Sequence, residues 1–360
     1  LFATISFPRD NELSSRQPII AIDARLVGGT STGDSTYWTC LVHALKALDT
    51  EFRFALFGNG PSPNPNLDWI DLRSKSGRWW SLVSFPRAAR KLGAAAIHTQ
   101  YSLSPLVGSR GITTIHDVSF LIGPEWFRSR DRVVLQTTVP AAAKRAAKVI
   151  TVSETSRAEI ERLIPAARGK TVATPLACPP WIELTSEKPN LEAPYVLTVG
   201  TRWPRKNMKL AMDAMERVGS EVPHRLVVTG KAGWGEEGQG SRVVSTGYVS
   251  NEELSRLYSH ADLYLAPSRH EGFGLPVLEA FRCGCPVLAS SGGALPETAG
   301  DAADIEASWH ADQWAATIGK LLKDRSTLDD LRRRGFEREK QFSWRETGLR
   351  TLEVYREVAR

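Results

Sequence analysis

The residues with the clearest chemical potential lie in one segment, Ala266–Phe281, which reads APSRHEGFGLPVLEAF. A strand is predicted to end near Ala266, and a glycine-rich turn follows it. Pro276 suits the first turn of the helix that comes next. Unpaired backbone N–H groups at such a helix start, here around Phe273–Leu275, attract phosphate. The glycines at positions 272 and 274, Gly272 and Gly274, would let a ligand approach the backbone closely.

This segment contains two glutamates whose positions favour different roles. Glu279 lies about one turn inside the predicted helix, where it could accept both hydroxyl groups of a ribose. Glu271 lies in the turn and could accept hydrogen bonds from a sugar. The alternative is a solvated loop followed by a carboxylate that pairs with the helix dipole.

A basic loop follows another predicted strand. Gly200–Asn207 reads GTRWPRKN, with three cations in five residues, Arg202, Arg205 and Lys206. Arginine grips two oxygen atoms at once and lysine supplies a mobile point charge, so the loop suits a diphosphate. A solvated basic loop is the alternative.

A histidine and an aspartate, His116 and Asp117, stand at the end of a short predicted strand, Thr113–Ile115. Histidine titrates near neutral pH and often moves protons at such sites. The pair favours a functional role for His116 over a structural one.

Short apolar strands alternate with helices along the whole chain, which indicates parallel α/β sheets. A length of 360 residues favours two domains. The alternation of strands and helices stops in a proline-rich stretch, Pro175–Pro194, and resumes after it. Two doubly wound sheets joined by this linker would place a ligand cleft between their strand ends.

The overall composition is that of a globular protein, with 42% hydrophobic and 24% charged residues. No apolar run reaches the length of a membrane span. No leader pattern follows Leu1, although Leu1 itself suggests that the native start lies upstream, so we expect a cytosolic protein. The four cysteines are expected to be buried, reduced thiols.

The net charge of +6 lies in the first half, where residues 1–183 hold 22 Lys/Arg and 15 Asp/Glu. Two basic segments, 73–80 with its paired tryptophans and 87–91, bracket the apolar stretch Leu82–Pro86. This pattern predicts peripheral binding to an anionic membrane, with a basic surface over a buried tryptophan pair as the alternative. No nucleic-acid-binding module accompanies the charge, so nucleic acid is disfavoured.

The Glu-x7-Glu signature and the upstream G-x-R-x-x-R-K-N resemble the retaining glycosyltransferases of family GT4, which have the GT-B fold of two Rossmann-like domains facing across a cleft. Segments 151–156, 228–230, 247–249 and 296–297 are similar to further family segments. The resemblance implies an N-terminal domain of residues 1–185, completed by a crossover helix at 343–360. A donor-binding domain would span 186–342.

The resemblance also implies roles for individual residues. Arg202 and Lys206 would neutralise the donor diphosphate, Glu271 would grip the transferred sugar, and His116 would lie near the reacting centre. The expected donor-binding residues are Gly33, Thr229, Gly230, Tyr248, Val249, Gly272, Phe273, Gly274, Leu275 and Glu279.

The loop Thr32–Tyr37 occupies the place of the family's glycine-rich phosphate loop, with Ser35 where members often have a second glycine. Its spacing is neither a P-loop nor a dinucleotide fingerprint, which disfavours ATP and NAD. Since no Asp-x-Asp motif is present, we expect no metal and no cofactor.

By resemblance, the chain is expected to transfer a hexose, most simply mannose from GDP-mannose, with retention of configuration. The acceptor would be a saccharide or lipid-linked saccharide of a surface polysaccharide, used at the inner face of the membrane. A nucleotide-sugar epimerase or a non-catalytic partner protein of the same fold is the alternative.

Overall fold

Two parallel sheets organise the chain in the computed structural model, which describes residues 17–29, 33–191, 194–233 and 240–360. Every strand pairing within both sheets is parallel. The expectation of two doubly wound α/β units is confirmed.

The first sheet has seven strands in the order β3-β2-β1-β4-β5-β6-β7. Its strands are β1 (Ile19–Asp23), β2 (Arg53–Gly58), β3 (Trp69–Asp71), β4 (Ala96–Gln100), β5 (Gly111–Thr114), β6 (Lys148–Thr151) and β7 (Thr171–Ala173). Most residues of the central strands β1 and β4 are buried, as is typical of parallel strands that are covered on both faces.

The second sheet has six strands in the order β10-β9-β8-β11-β12-β13. Its strands are β8 (Tyr195–Val199), β9 (Arg225–Thr229), β10 (Val243–Gly247), β11 (Leu263–Ala266), β12 (Val287–Ser290) and β13 (Asp304–Glu306). In both sheets the order reverses beside the first strand in sequence, which creates the crevice where open α/β sheets bind ligands.

Helices cover the faces of both sheets. Those associated with the first sheet are α1 (Gly33–Ala47), α2 (Gly77–Trp79), α3 (Phe85–Lys91), α4 (Ser119–Ile122), α5 (Ser129–Arg145) and α6 (Glu154–Leu163). A π-helical turn, Trp80–Ser84, joins α2 to α3. The remaining helices are α7 (Met208–Val218), α8 (Asn251–His260), α9 (Leu275–Arg282), α10 (Leu295–Ala299), α11 (Ala311–Lys323), α12 (Arg325–Glu339) and α13 (Trp344–Ala359).

Helix α13 follows the second sheet in sequence but packs against the first sheet. The Tyr355 hydroxyl lies 2.8 Å from His98 Nδ1, and its ring contacts Phe52 and Phe54. Gly348 lies against Leu48, just after α1. The domain boundaries at 185/186 and 342/343 stay predictions.

Several elements differ from those expected. Helix α5 was not predicted, because it carries exposed Val133 and Val134 and an internal Pro140 instead of one apolar stripe. The segment 309–334 contains α11 and most of α12, and Asp324 between them caps α12 by accepting from the Thr327 N–H.

All four cysteines are free and buried, as expected. Within the described ranges, none of the helices combines the length and the apolar character that a membrane crossing needs.

Candidate active site

The loop that follows β8 is held by a close approach of two glycines. Gly200 and Gly230 both have positive φ, and a Cβ on Gly230 would lie 2.1 Å from the Gly200 carbonyl oxygen. The loop then forms a 3₁₀ turn, Pro204–Lys206, and Asn207 adopts the left-handed conformation before α7 starts. This path turns the Lys206 side chain toward the loop after β11.

Glu271 is the centre of a buried charged cluster in that second loop. Its carboxylate accepts from Lys206 Nζ at 2.6 Å, from Arg205 Nη1 at 3.0 Å and from Ser268 Oγ at 2.5 Å. Burial by itself would raise the pKa of the Glu271 carboxyl, but the two cations outweigh burial and lower it to about 2. Glu271 is therefore a carboxylate at every physiological pH.

The structure separates the three cations of the basic loop. Arg205 also donates to the His270 carbonyl at 2.7 Å, so it and Lys206 hold Glu271 together. Arg202 instead donates to Ser245 Oγ at 2.7 Å, at the edge of the sheet on β10. The structure thus pairs Arg205, rather than Arg202, with Lys206. The cation count in the sequence included Arg205 but gave it no role.

Glu279 lies on α9 in surroundings of the opposite kind. Its carboxylate accepts from the Tyr258 hydroxyl at 3.0 Å. Burial is the main cause that raises the pKa of the Glu279 carboxyl to about 7, and the Tyr258 hydroxyl and Lys206 only partly offset it. Glu279 can therefore exchange a proton near neutral pH.

His116 follows β5 and is buried against aromatic rings. Its ring contacts Tyr37 and Tyr101 edge-on, with centroids 4.8 and 5.7 Å apart. Its Nε2 lies 3.6 Å from Asp34 Oδ1 and has no hydrogen-bond partner among the described residues. Burial outweighs the nearby Asp34 and Asp117 and lowers the pKa of His116, so the imidazole is neutral.

The two domains meet at Gly272, the residue after Glu271. A Cβ on Gly272 would lie 2.7 Å from the His116 carbonyl oxygen, so only glycine permits this approach. The Gly272 carbonyl accepts from Ser153 Oγ at 2.7 Å and from Ser156 Oγ at 3.1 Å, both at the start of α6. This contact brings His116 beside the Glu271 loop, across about 155 residues of sequence.

The other predicted donor-binding residues of the loop before α9 mainly shape that loop and pack against the core. Phe273 is buried against Phe342, and its carbonyl accepts from Thr298 Oγ1 at 2.5 Å. Gly274 has a φ of 98° and lies against Leu295, so a side chain would be strained there. Leu275 begins α9.

The predicted base pocket lies at the ends of β9 and β10. Thr229 Oγ1 and the Gly230 N–H both donate to the Gly247 carbonyl, at 3.1 and 2.9 Å. Tyr248 is 53% exposed, with the Lys231 ammonium group 5.3 Å from its ring centroid. Val249 is partly buried beside the core.

The glycine-rich loop of the first domain is described only in part, since Thr32 lies outside the described residues. Gly33 begins α1, and none of the described residues lies within 4 Å of the place where its Cβ would stand. Ser35 is buried, and its hydroxyl donates to the carbonyl oxygens of Leu26 and Gly29. Its role is to close the loop, since the hydroxyl is engaged by backbone.

No group of three or more His, Cys, Asp or Glu side chains is arranged to hold a metal ion in the part of the chain that the structure describes. The arrangement instead offers two buried cations that share one carboxylate, at the mouth of a crevice between two parallel sheets. Such a site can bind an anionic group and a polyhydroxyl group side by side.

The fold and the site together define a two-domain protein built to hold a charged ligand between its domains. Residues 182–338 match the family described as "Glycosyl transferases group 1". The O-antigen chain mannosyltransferase B of Escherichia coli is 34% identical over 268 residues, which cover 69% of this chain and 70% of that protein. The chain belongs to the group 1 glycosyltransferases.

Solved structures show the same fold. A sucrose-phosphate synthase from Thermosynechococcus elongatus superposes with a TM-score of 0.75 at 23% identity, over 95% of this chain and 99% of that one. The Anabaena protein HepE, solved in complex with UDP and glucose, superposes with a TM-score of 0.68 at 17% identity, over 95% of this chain and all of that one. The chain therefore has the GT-B fold, as predicted.

Proposed function

We propose that this chain transfers a hexose, with mannose as the first choice, from a nucleotide-diphosphate donor such as GDP-mannose to a saccharide or lipid-linked saccharide. The observation that carries the proposal is the buried pairing of Glu271 with both Lys206 and Arg205 beside the domain contact at Gly272. The mannosyltransferase relative favours mannose. Surface-polysaccharide synthesis is the proposed process.

In the proposed mechanism, the two cations stabilise the charge that develops on the departing diphosphate. Preorganised charges act most strongly where water is excluded, and Lys206 and Arg205 are both largely buried. Donor phosphate would replace part of the Glu271 carboxylate around Lys206, which frees Glu271 to accept sugar hydroxyls. Arg202 would reach the diphosphate only by leaving Ser245.

We propose that the reaction retains the anomeric configuration by front-side attack and needs no metal ion. The acceptor oxygen bonds to the anomeric carbon on the face from which the diphosphate leaves, and the bond from that carbon to the phosphate oxygen breaks. The acceptor proton passes to the leaving phosphate. Glu279 would hold the ribose, and neutral His116 would hydrogen-bond the sugar near the reacting carbon.

A donor panel tests this proposal. Wild-type protein is incubated with GDP-, UDP- and ADP-sugars, and both transfer and slow hydrolysis are followed, with and without EDTA. Removing one charge that stabilises a transition state costs about 10²–10³-fold in rate. We expect Lys206→Ala and Glu271→Ala to lose at least 100-fold in kcat.

Lys209→Ala on the exposed face of α7 is the matched control and should keep wild-type activity. NMR of the product gives the anomer. An inverted product, a requirement for Mg²⁺ or Mn²⁺, or full activity in Lys206→Ala would contradict the proposal.

We also propose that residues 73–91 rest on an anionic membrane surface. The two tryptophans divide their roles: Trp80 is buried and stacks on Phe85, whereas Trp79 is 57% exposed. The expected membrane-facing pair is thus one tryptophan, joined by Leu82, which is also exposed. Exposed cations surround them at Arg73, Lys75, Arg78, Arg87, Arg90 and Lys91.

A further inference from the structure

A cavity of about 400 Å³ lies between the two domains, beside the basic loop Gly200–Asn207. The first domain contributes Trp126, Phe127 and the start of α5, and the second contributes Trp203 and Arg205. Its volume falls within the range of roughly 300–1,000 Å³ that is typical of small-molecule sites.

The cavity adjoins the charged cluster through a shared residue. Arg205 lines the cavity and donates to Glu271 Oε2 at 3.0 Å. A ligand in the cavity would therefore lie one side chain away from the carboxylate proposed to hold the donor sugar. An acceptor must lie this close to the donor sugar for the transfer to take place.

The walls of the cavity have the chemistry of a carbohydrate site. Trp126 and Trp203 line the cavity, and the C–H face of a pyranose ring can pack on the face of an indole ring. Arg128 and Asp131 add a guanidinium group and a carboxylate beside the rings, which can donate to and accept from sugar hydroxyls.

One of the two rings, that of Trp126, is held in place before any ligand arrives. A Cβ on Gly123 would lie 2.4 Å from the Trp126 indole, so the ring packs flat on that glycine. Trp203 is fixed at its backbone, which donates to the Thr201 carbonyl at 2.7 Å, while its side chain stays 44% exposed. A preorganised ring such as that of Trp126 reduces the entropic cost of binding.

We infer that this cavity binds the sugar ring of the acceptor, with Trp126 and Trp203 as its stacking residues. The inference rests on the proposed transferase function, because it supplies that reaction's second substrate. It assigns the acceptor ring to two particular side chains, Trp126 and Trp203, whereas the exposed Trp79 surface would only bring the enzyme to a membrane.

The test is kinetic, with the donor found in the panel above and methyl α-mannoside, methyl α-glucoside and methyl β-galactoside as acceptor probes. We expect Trp126→Ala and Trp203→Ala to raise the acceptor KM at least tenfold. The donor KM and the rate of donor hydrolysis should stay within twofold of wild type. Trp126→Phe should recover most of the acceptor affinity, because a phenyl ring still stacks.

Trp309→Ala is the matched control, since Trp309 is a similarly exposed tryptophan that does not line the cavity. Trp203→Ala removes an exposed side chain and should fold, which near-UV circular dichroism and Tm will check. An unchanged acceptor KM in both alanine variants, or a donor KM that rises as much as the acceptor KM, overturns the inference.

A second readout separates this inference from the proposed function. Saturation-transfer NMR measures binding of the same three glycosides to wild type and Trp203→Ala with no donor present. A wild-type signal that falls at least fivefold in the variant supports the cavity even if no donor is turned over. An equal signal in both proteins, or none in wild type, overturns it.

Discussion

At the scale of single residues, two glutamates eight positions apart have pKa values shifted in opposite directions. Two cations hold the pKa of Glu271 near 2, and burial beside a tyrosine hydroxyl raises that of Glu279 to about 7. A fixed charge suits a group that balances lysine and arginine. A carboxyl that is half-protonated near pH 7 makes ligand binding sensitive to pH.

Donor affinity should therefore rise with pH. Glu279 must lose its proton to accept two ribose hydroxyls, so the affinity should increase roughly tenfold from pH 6 to pH 8. An intact nucleotide sugar is the suitable ligand, because its phosphate diester does not titrate in this range. Isothermal titration calorimetry at a series of pH values gives the slope.

Glu279→Gln should flatten this slope, whereas Glu253→Gln on α8 should retain it. The stability of the fold depends on pH with the opposite sign. Because the folded state keeps a proton that the unfolded chain releases near pH 4.5, Glu279 makes the fold less stable as pH rises from there to about 7. If the donor affinity of Glu279→Gln still rises steeply with pH, the titrating group is another one.

At the scale of elements, strong local patterns were sufficient to predict position. Strand β11 ends at Ala266 and α9 begins at Leu275, so that Pro276 lies in its first turn, as the sequence predicts. Helix α6 begins at a clear local signal, because the Ser153 hydroxyl accepts from the Ser156 N–H. Helix α5 lacks such signals and was missed.

The candidate site was predictable where it lies within one loop and its neighbouring strand. The turn before α9 and the basic loop predicted Glu271 and Lys206. The approach of Gly272 to His116, and the choice of Arg205 over Arg202, depend on how two domains dock. No local pattern encodes contacts at such a sequence separation, so they required the three-dimensional structure.

The segment from α2 to α3 is the element on which membrane binding depends. On vesicles that contain 30% anionic lipid at low salt, we expect Trp79→Ala to lower the bound fraction about fivefold, because an interfacial tryptophan is lost. Cosedimentation measures the effect. Salt at 0.5 M should release wild type, since the remaining attraction is electrostatic.

Trp309→Ala and vesicles of neutral lipid provide the controls. Binding of wild type to neutral and anionic vesicles alike would exclude the basic residues as the cause. If Trp79→Ala binds the anionic vesicles as well as wild type does, this surface is not the one that binds the membrane.

At the scale of the whole molecule, helix α6 of the first domain holds the second domain in contact with the first. The Glu297 carboxylate accepts from the backbone N–H groups of Glu154 and Thr155 at 2.8 and 2.7 Å, and from Thr155 Oγ1 at 2.6 Å. Glu159 on the same helix pairs with His270 at 2.9 Å. These contacts hold the Glu271 loop against His116.

Glu297→Ala should loosen this closed arrangement. Loss of a helix cap costs about 0.5–2 kcal/mol, which corresponds to roughly 2–30-fold faster hydrogen exchange at the first amides of α6. We expect that acceleration by mass spectrometry, together with a fall in kcat. Glu337→Ala, an exposed residue on α12 paired with Lys340, should change neither. Unaltered exchange in Glu297→Ala would show that the cap does not hold the domains.

The return of α13 to the first sheet has a consequence for synthesis on the ribosome. Tyr355 fills a place beside His98, yet it is made about 180 residues after β7 ends. At roughly 5–20 residues per second, the nascent first domain waits on the order of 10–40 s for the helix that completes its core. During that interval, aromatic residues such as Phe54 stay uncovered, so we expect chaperones to meet this chain before its first domain is finished.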